Sequence, residues 1–96
     1  MVQTQFDKNM GITHSDFFRL LPKAMGDHPY TINGNTVNAD VEGGKLMIGL
    51  GEQQERRIAL MRIPFVIVNF DFSSVGDEGI EAFVQHFDLH FQRGGG

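Results

Sequence analysis

The clearest pattern in the chain is a stripe of large apolar residues near its C-terminal end. Five such residues recur at intervals of one to four positions: Ile80, Phe83, Val84, Phe87 and Phe91. At about 3.6 residues per turn, this spacing places all five side chains on one face of a helix. Ser74 stands where an N-cap is expected. The pattern predicts a helix that runs to about Arg93 and docks on a sheet.

A second helix is predicted near the start of the chain. Thr13 and Asp16 have the spacing of a capping box, with Asp in place of the usual Glu. Ile12 and Phe17 have the spacing of a hydrophobic staple across the same helix start. Pro22 falls inside the helical pattern and predicts a kink or a new turn, because it lacks an amide donor.

The middle of the chain shows the period-2 alternation and the turn dipeptides of antiparallel strands. Asn33-Gly34 and Gly43-Gly44 are typical of tight hairpin turns. The predicted strands cover residues 30–32, 35–37, 45–50, 58–61 and 65–72. In the last of them, we expect the side chains of Val66, Val68, Phe70 and Phe72 to face the core.

Together these elements predict an α+β fold with two layers. An N-terminal helix, a five-strand antiparallel meander and a C-terminal helix follow one another, and both helices pack on one face of the sheet. Residues 1–11 are expected to form a disordered tail, residues 12–93 a single domain, and residues 94–96 a flexible glycine tail.

The composition disfavours several classes of partner but does not identify a function. The net charge of −4 disfavours nucleic acid and anionic lipid as partners, since both require a concentrated basic surface. The longest apolar run, over residues 63–68, is far shorter than the roughly 20 residues of a membrane span. There are no cysteines, which fits a reducing compartment. We therefore expect a cytoplasmic protein with neither a membrane nor a nucleic acid as partner.

His86 and His90 are the weak candidates for a metal site. They lie four residues apart and project from the same side of the predicted helix. A catalytic zinc site needs a third protein ligand, and the stretch lacks the glutamate of an H-E-x-x-H motif. Asp88 points to the far side of the apolar stripe, so only His28 or His14 could strengthen the pair. We expect boundary histidines and no cofactor.

No catalytic motif is present in the sequence. There is no G-x-S-x-G nucleophile elbow and no phosphate-binding loop followed by a helix. Arg56, Arg57 and Arg62 form the only dense basic group, with Arg56 and Arg62 expected on one side of a strand and Arg57 on the other. We interpret them as a solvated strand edge, and we expect a protein without enzymatic activity.

The leading hypothesis is a protein-interaction or assembly module, which binds a protein partner or forms a homodimer. The helices leave one face of the sheet uncovered, and an apolar patch there is typical of an interface. The interface candidates share the strand parity away from the helices: Ala59, Met61, Ile63, Phe65 and Ile67. The alternative is a small-molecule or metal-binding domain, enzymes included, with a pocket near His86 and His90.

Overall fold

Six strands and two helices make up the computed structural model, which describes residues 3–94 and the side chains as far as Phe91. In chain order the elements are β1 (Gln5–Met10), α1 (His14–Met25), β2 (Tyr30–Asn33), β3 (Thr36–Val41), β4 (Gly44–Leu50), β5 (Gln54–Ile58), β6 (Met61–Ser73) and α2 (Asp77–Gly94). The strands pair antiparallel. The predicted α+β class is confirmed.

The N-terminal segment differs from the prediction. Residues 5–10, expected in a disordered tail, form β1 along one edge of β6. Phe6 stacks on Phe70, with ring centroids 5.2 Å apart. Lys8 lies 3.1 Å from a carboxylate oxygen of Asp88 in α2. The segment is ordered because it has a partner strand, which its own polar composition does not reveal.

The chain ends bear on the other predicted boundaries. Met1, Val2, Gly95 and Gly96 lie outside the described residues, so most of the expected glycine tail is not described. Gly94, also placed in that tail, is the last residue of α2. The single domain over residues 12–93 stays a prediction, although the sheet begins before Ile12.

The start of α1 agrees with the sequence pattern. The side-chain oxygen of Thr13 accepts a hydrogen bond from the Asp16 N–H at 3.1 Å, which satisfies a free amide of the first turn. Ile12 and Phe17 are both buried, as a hydrophobic staple requires. Pro22 does not end the helix, which continues to Met25 and stops at Gly26.

The strands lie in the order β1-β6-β4-β3-β2 across the sheet. β2, β3 and β4 are consecutive neighbours, as the meander predicts. β6 then lies between β4 and β1, so the N-terminal strand, and not β6, forms that edge. β5 pairs with β6 alone among the described strands, beyond the end of β4.

Both predicted hairpins form, with their turns shifted by one residue. Asn33 pairs with Thr36, so the first turn is residues 34–35. Val41 pairs with Gly44, so Glu42 and Gly43 form the second turn, with φ angles of 47° and 82°. Positive φ at both positions is the geometry of a type I′ turn.

The strand predicted over residues 58–61 is wrong. Ile58 pairs with Met61, so Ala59 and Leu60 form the turn between β5 and β6. Ala59 adopts the left-handed conformation there, with a φ of 56°. Pro64 lies within β6 and does not interrupt it.

The core lies between the helices and one face of the sheet. Val66, Val68, Phe70 and Phe72 are buried, which confirms the predicted core face of β6. Four residues of the predicted stripe on α2 are also buried: Ile80, Phe83, Phe87 and Phe91. α2 begins at Asp77, and the Ile80 N–H donates to the Gly76 carbonyl at 3.0 Å. Ser74 is therefore not the N-cap.

Candidate interaction surface

Residues 54–65 form a hairpin that we call the arm. It consists of β5, a two-residue turn and the first part of β6. The neighbouring strands stop at its base, since β1 ends opposite Val66 and β4 ends opposite Val68. Every residue from 51 to 62 is exposed. The molecule measures 46 × 27 × 22 Å, an elongated shape for its size. The arm therefore projects from the body of the protein.

A bulge joins the arm to the body. Residues 51–53, which connect β4 to β5, lie opposite only residues 66–67 of β6, so this connection contains one extra residue, which we call the bulge. The His14 N–H donates to the Gln53 side-chain oxygen at 2.9 Å, and the His14 ring lies 2.8 Å from the Gly51 carbonyl oxygen. The start of α1 thus holds the base of the arm.

One side of the arm is mostly apolar. Cross-strand pairing places six residues on this apolar side of the arm: Gln54, Arg56, Ile58, Met61, Ile63 and Phe65. Ile58 is 53% exposed and Met61 is 63% exposed. Leu60, in the turn at the tip, is completely exposed at 102%. Large apolar side chains that are at least half-exposed and lie close together at one end of a molecule are typical of an interaction site.

The structure distributes the predicted interface residues over this region. Met61, Ile63 and Phe65 lie together on the apolar side of the arm, while Ile67 continues their parity into the body. Ala59 is in the turn and not on the strand face. Sequence reasoning missed Ile58 and Leu60. The run Ile-Ala-Leu-Met after six polar residues is the signal that the sequence offers for them, and this run predicts a strand.

The helix-free side of the sheet body is polar, contrary to the expected apolar patch. This open face consists of fifteen residues: Gln5, Asp7, Asn9, Thr31, Asn33, Thr36, Asn38, Asp40, Lys45, Met47, Gly49, Ile67, Asn69, Asp71 and Ser73. Met47 and Ile67 are its large apolar members, and Met47 is half-exposed. On this side of the sheet, most of the large apolar side chains therefore lie on the arm.

Arginines lie on both sides of the arm. On the apolar side, the Arg56 guanidinium lies 4.9 Å from the centre of the Phe65 ring, within the range of a cation–π contact. On the opposite side, the Glu55 carboxylate lies 3.9 Å from Arg57 and 3.7 Å from Arg62. Arg57 and Arg62 are cross-strand partners, so the predicted pairing of Arg56 with Arg62 on one side is wrong.

The histidines do not assemble a metal site in the part of the chain that the structure describes. The His86 and His90 rings lie together, with centroids 4.4 Å apart. No cluster of three or more His, Cys, Asp or Glu that could hold a metal occurs among the described residues. Asp88 faces away toward Lys8, as the helical geometry predicts. His28 instead approaches Glu42 at 3.5 Å, and His14 binds the bulge.

Comparisons with known proteins add no function. No protein-family model matches the chain, and neither a curated protein nor a solved structure matches it.

Proposed function

We propose that this protein is an assembly module, which binds a second copy of itself through the apolar side and tip of the arm. One observation carries the proposal. Leu60, Ile58 and Met61 are exposed together at the end of a hairpin that neither helix covers. Complete burial of a fully exposed side chain such as Leu60 gains roughly 1.5–3 kcal/mol. Ile58 and Met61 are already partly covered and gain correspondingly less, but a partner that covers all three still stabilises the tip.

The construction of the arm supports the same proposal. An isolated two-stranded hairpin is marginally stable in water, because it has no second layer to bury its apolar side. The bulge and His14 nevertheless hold the arm at a defined place on the body. Its edges are free of other described strands and carry Arg57 and Arg62, and charged residues at an edge oppose uncontrolled strand pairing. The arm is thus suited to specific docking.

Charge favours a second copy as the partner. The arm contains three arginines and one glutamate, whereas the rest of the chain carries five basic and eleven acidic residues. The arm and the remainder of the molecule are therefore oppositely charged, and a second copy supplies the acidic surface that the arm requires. Complementary charges raise association rates and select orientation between proteins.

The cytoplasmic location, the absence of enzymatic activity and the alternative of a ligand pocket near His86 and His90 stay predictions from the sequence. We rank the assembly module above the ligand pocket because the tip of the arm exposes three large apolar side chains, whereas the pocket hypothesis rests on two histidines.

Sedimentation velocity and multi-angle light scattering test the proposal. We expect the mass to rise above that of the 10.8 kDa monomer as the protein concentration increases. Leu60→Gln removes the most exposed apolar group and shifts this rise to higher concentration. Leu89→Gln is the matched control, because Leu89 is 49% exposed on α2, outside the arm. Both variants should fold, since neither side chain is buried.

Two results would overturn the proposal. One is a mass that stays monomeric up to the highest soluble concentration. The other is a Leu89→Gln variant that loses assembly as much as Leu60→Gln does. Vesicles containing phosphatidylserine provide a further check, since an apolar tip beside arginines also fits an anionic membrane surface. Vesicle binding by a protein that remains monomeric would assign the arm to a membrane instead.

A further inference from the structure

A depression in the open face offers a place for the arm of a second copy. Its volume is about 540 Å³, and its walls come from four strands, β2, β3, β4 and β6. We propose that this depression receives the tip of the arm from the partner copy, in a symmetric dimer. The inference rests on the proposed function and names the surface that the arm contacts.

The residues that line the depression include Met47 and two aspartates, Asp40 and Asp71. Pairing across the sheet aligns Asp71, Met47, Asn38 and Thr31 in one row, each on a successive strand. Met47 is half-exposed at the middle of this row, where it can contact an incoming aliphatic side chain. Methionine adapts its shape to a partner surface because its side chain is unbranched and flexible.

The arm and the open face carry net charges of opposite sign. The open face carries three aspartates, Asp7, Asp40 and Asp71, and one lysine, Lys45, which is paired with Asp40. Three of the arm's four charged residues, Glu55, Arg57 and Arg62, lie on its opposite side, so Arg56 alone brings a positive charge to the open face, which has an excess of two negative charges. Arg56 lies on the apolar side of the arm, so an aspartate meets a positive charge on the same side as the apolar contacts.

In a symmetric dimer, each copy can place its arm on the open face of the other. The apolar side of the arm continues the parity of the open face along β6, so both surfaces face the same way. When one arm lies on the partner's open face, a twofold axis places the partner's arm on the first open face.

Disulfide trapping tests this contact cleanly, because the native chain has no cysteine. Leu60→Cys places a thiol at the tip of the arm, and Asn38→Cys places one in the depression, on separate chains that are then mixed and oxidised. Docking raises the local concentration of the two thiols, so we expect the mixed dimer to form at least about tenfold faster than with Leu89→Cys as partner. Non-reducing electrophoresis and mass spectrometry measure the products.

A charge variant supplies an independent measurement. Asp71→Asn removes a carboxylate from the depression, and we expect the dissociation constant of the dimer to rise about threefold. Asp27→Asn removes the same charge from the exposed loop after α1 and should leave the constant unchanged within about twofold. Equal effects of the two variants would contradict a contact at the depression.

The outcomes separate the inference from the proposed function. If Leu60→Cys chains cross-link to each other faster than to Asn38→Cys chains, the arms meet each other, and assembly stands while the inference fails. The inference also fails if Leu60→Gln abolishes assembly but Leu60→Cys chains form disulfides with Asn38→Cys and Leu89→Cys chains at equal rates. A protein that stays monomeric at every concentration removes both.

Discussion

At the residue scale, Gly44 occupies a position where an added Cβ atom would collide with backbone atoms. It begins β4 where the chain passes the carbonyl groups of Ser73 and Ser74. A Cβ atom there would lie 2.5 Å from the Ser74 carbonyl oxygen and 2.6 Å from its carbonyl carbon, and it would also collide with the Ser73 carbonyl oxygen. Because backbone atoms cannot move aside like a flexible side chain, the sheet itself would have to shift.

Gly44→Ala should therefore destabilise the protein by about 1–3 kcal/mol, the usual cost of forcing extra atoms into a packed site. Gly49→Ala on the same strand is the control, since no atom lies within 4 Å of the added Cβ. We expect it to change stability by less than about 0.5 kcal/mol. Urea unfolding followed by circular dichroism measures both. Similar losses for the two variants would show that the close approach at Gly44 is not decisive.

The same glycine shows what the sequence can and cannot predict at this scale. The pair Gly43-Gly44 correctly predicts a hairpin, because glycine adopts positive φ at little cost. The structure uses Glu42 and Gly43 for the turn and leaves Gly44 for the close approach. Which residues occupy the turn depends on the strand register, and the register depends on β6, far away in the sequence.

At the scale of the element, α2 was predictable and the arm was not. The spacing of the apolar residues on α2 predicts the buried stripe because a helix repeats within a few residues. The arm begins with four polar residues, so its first strand resembles a loop, and Ala59-Leu60 lacks the residues that usually form a tight turn. Only the pairing with β6 reveals the hairpin.

The stripe on α2 allows a quantitative prediction at the level of the helix. Phe87 is completely buried, and its ring lies 5.1 Å from Phe70, 4.4 Å from Phe91 and 5.9 Å from Phe83. Phe87→Ala should destabilise the protein by about 3–5 kcal/mol, because it leaves a cavity between α2 and the sheet. The exposed Gln85 supplies the control.

Thermal and urea unfolding would measure the loss. Gln85→Ala changes an exposed side chain of the same helix and should stay within about 0.5 kcal/mol of the parent protein. Phe87→Leu should fall between the two variants, since it keeps most of the apolar volume. If Phe87→Ala cost no more than Gln85→Ala, the docking of α2 on the sheet would be wrong.

At the scale of the whole molecule, β1 links the chain's beginning to its core. It covers the outer edge of β6, while Phe6 packs on Phe70 and also on Phe72, whose ring centroid lies 6.2 Å away. Lys8 reaches across to Asp88 on α2. The sequence could not predict this strand, because its side chains alternate weakly and its stability comes from partners more than fifty residues away.

Removal of residues 1–9, which leaves Met10 as the first residue, tests this role. A disordered tail would leave stability unchanged, whereas loss of β1 uncovers Phe70 and the backbone groups of β6. We expect the free energy of unfolding to fall by roughly 2–4 kcal/mol, of which burial of Phe6 supplies a large part. The exposed edge of β6 should also promote aggregation, since an unpaired strand edge is a template for further pairing.

Urea unfolding measures the loss of stability, light scattering measures the aggregation, and the Phe6→Ala variant separates the two effects. That variant keeps the strand pairing, so it should lose stability without gaining aggregation, and a truncated chain as stable as the parent would exclude β1 from the fold.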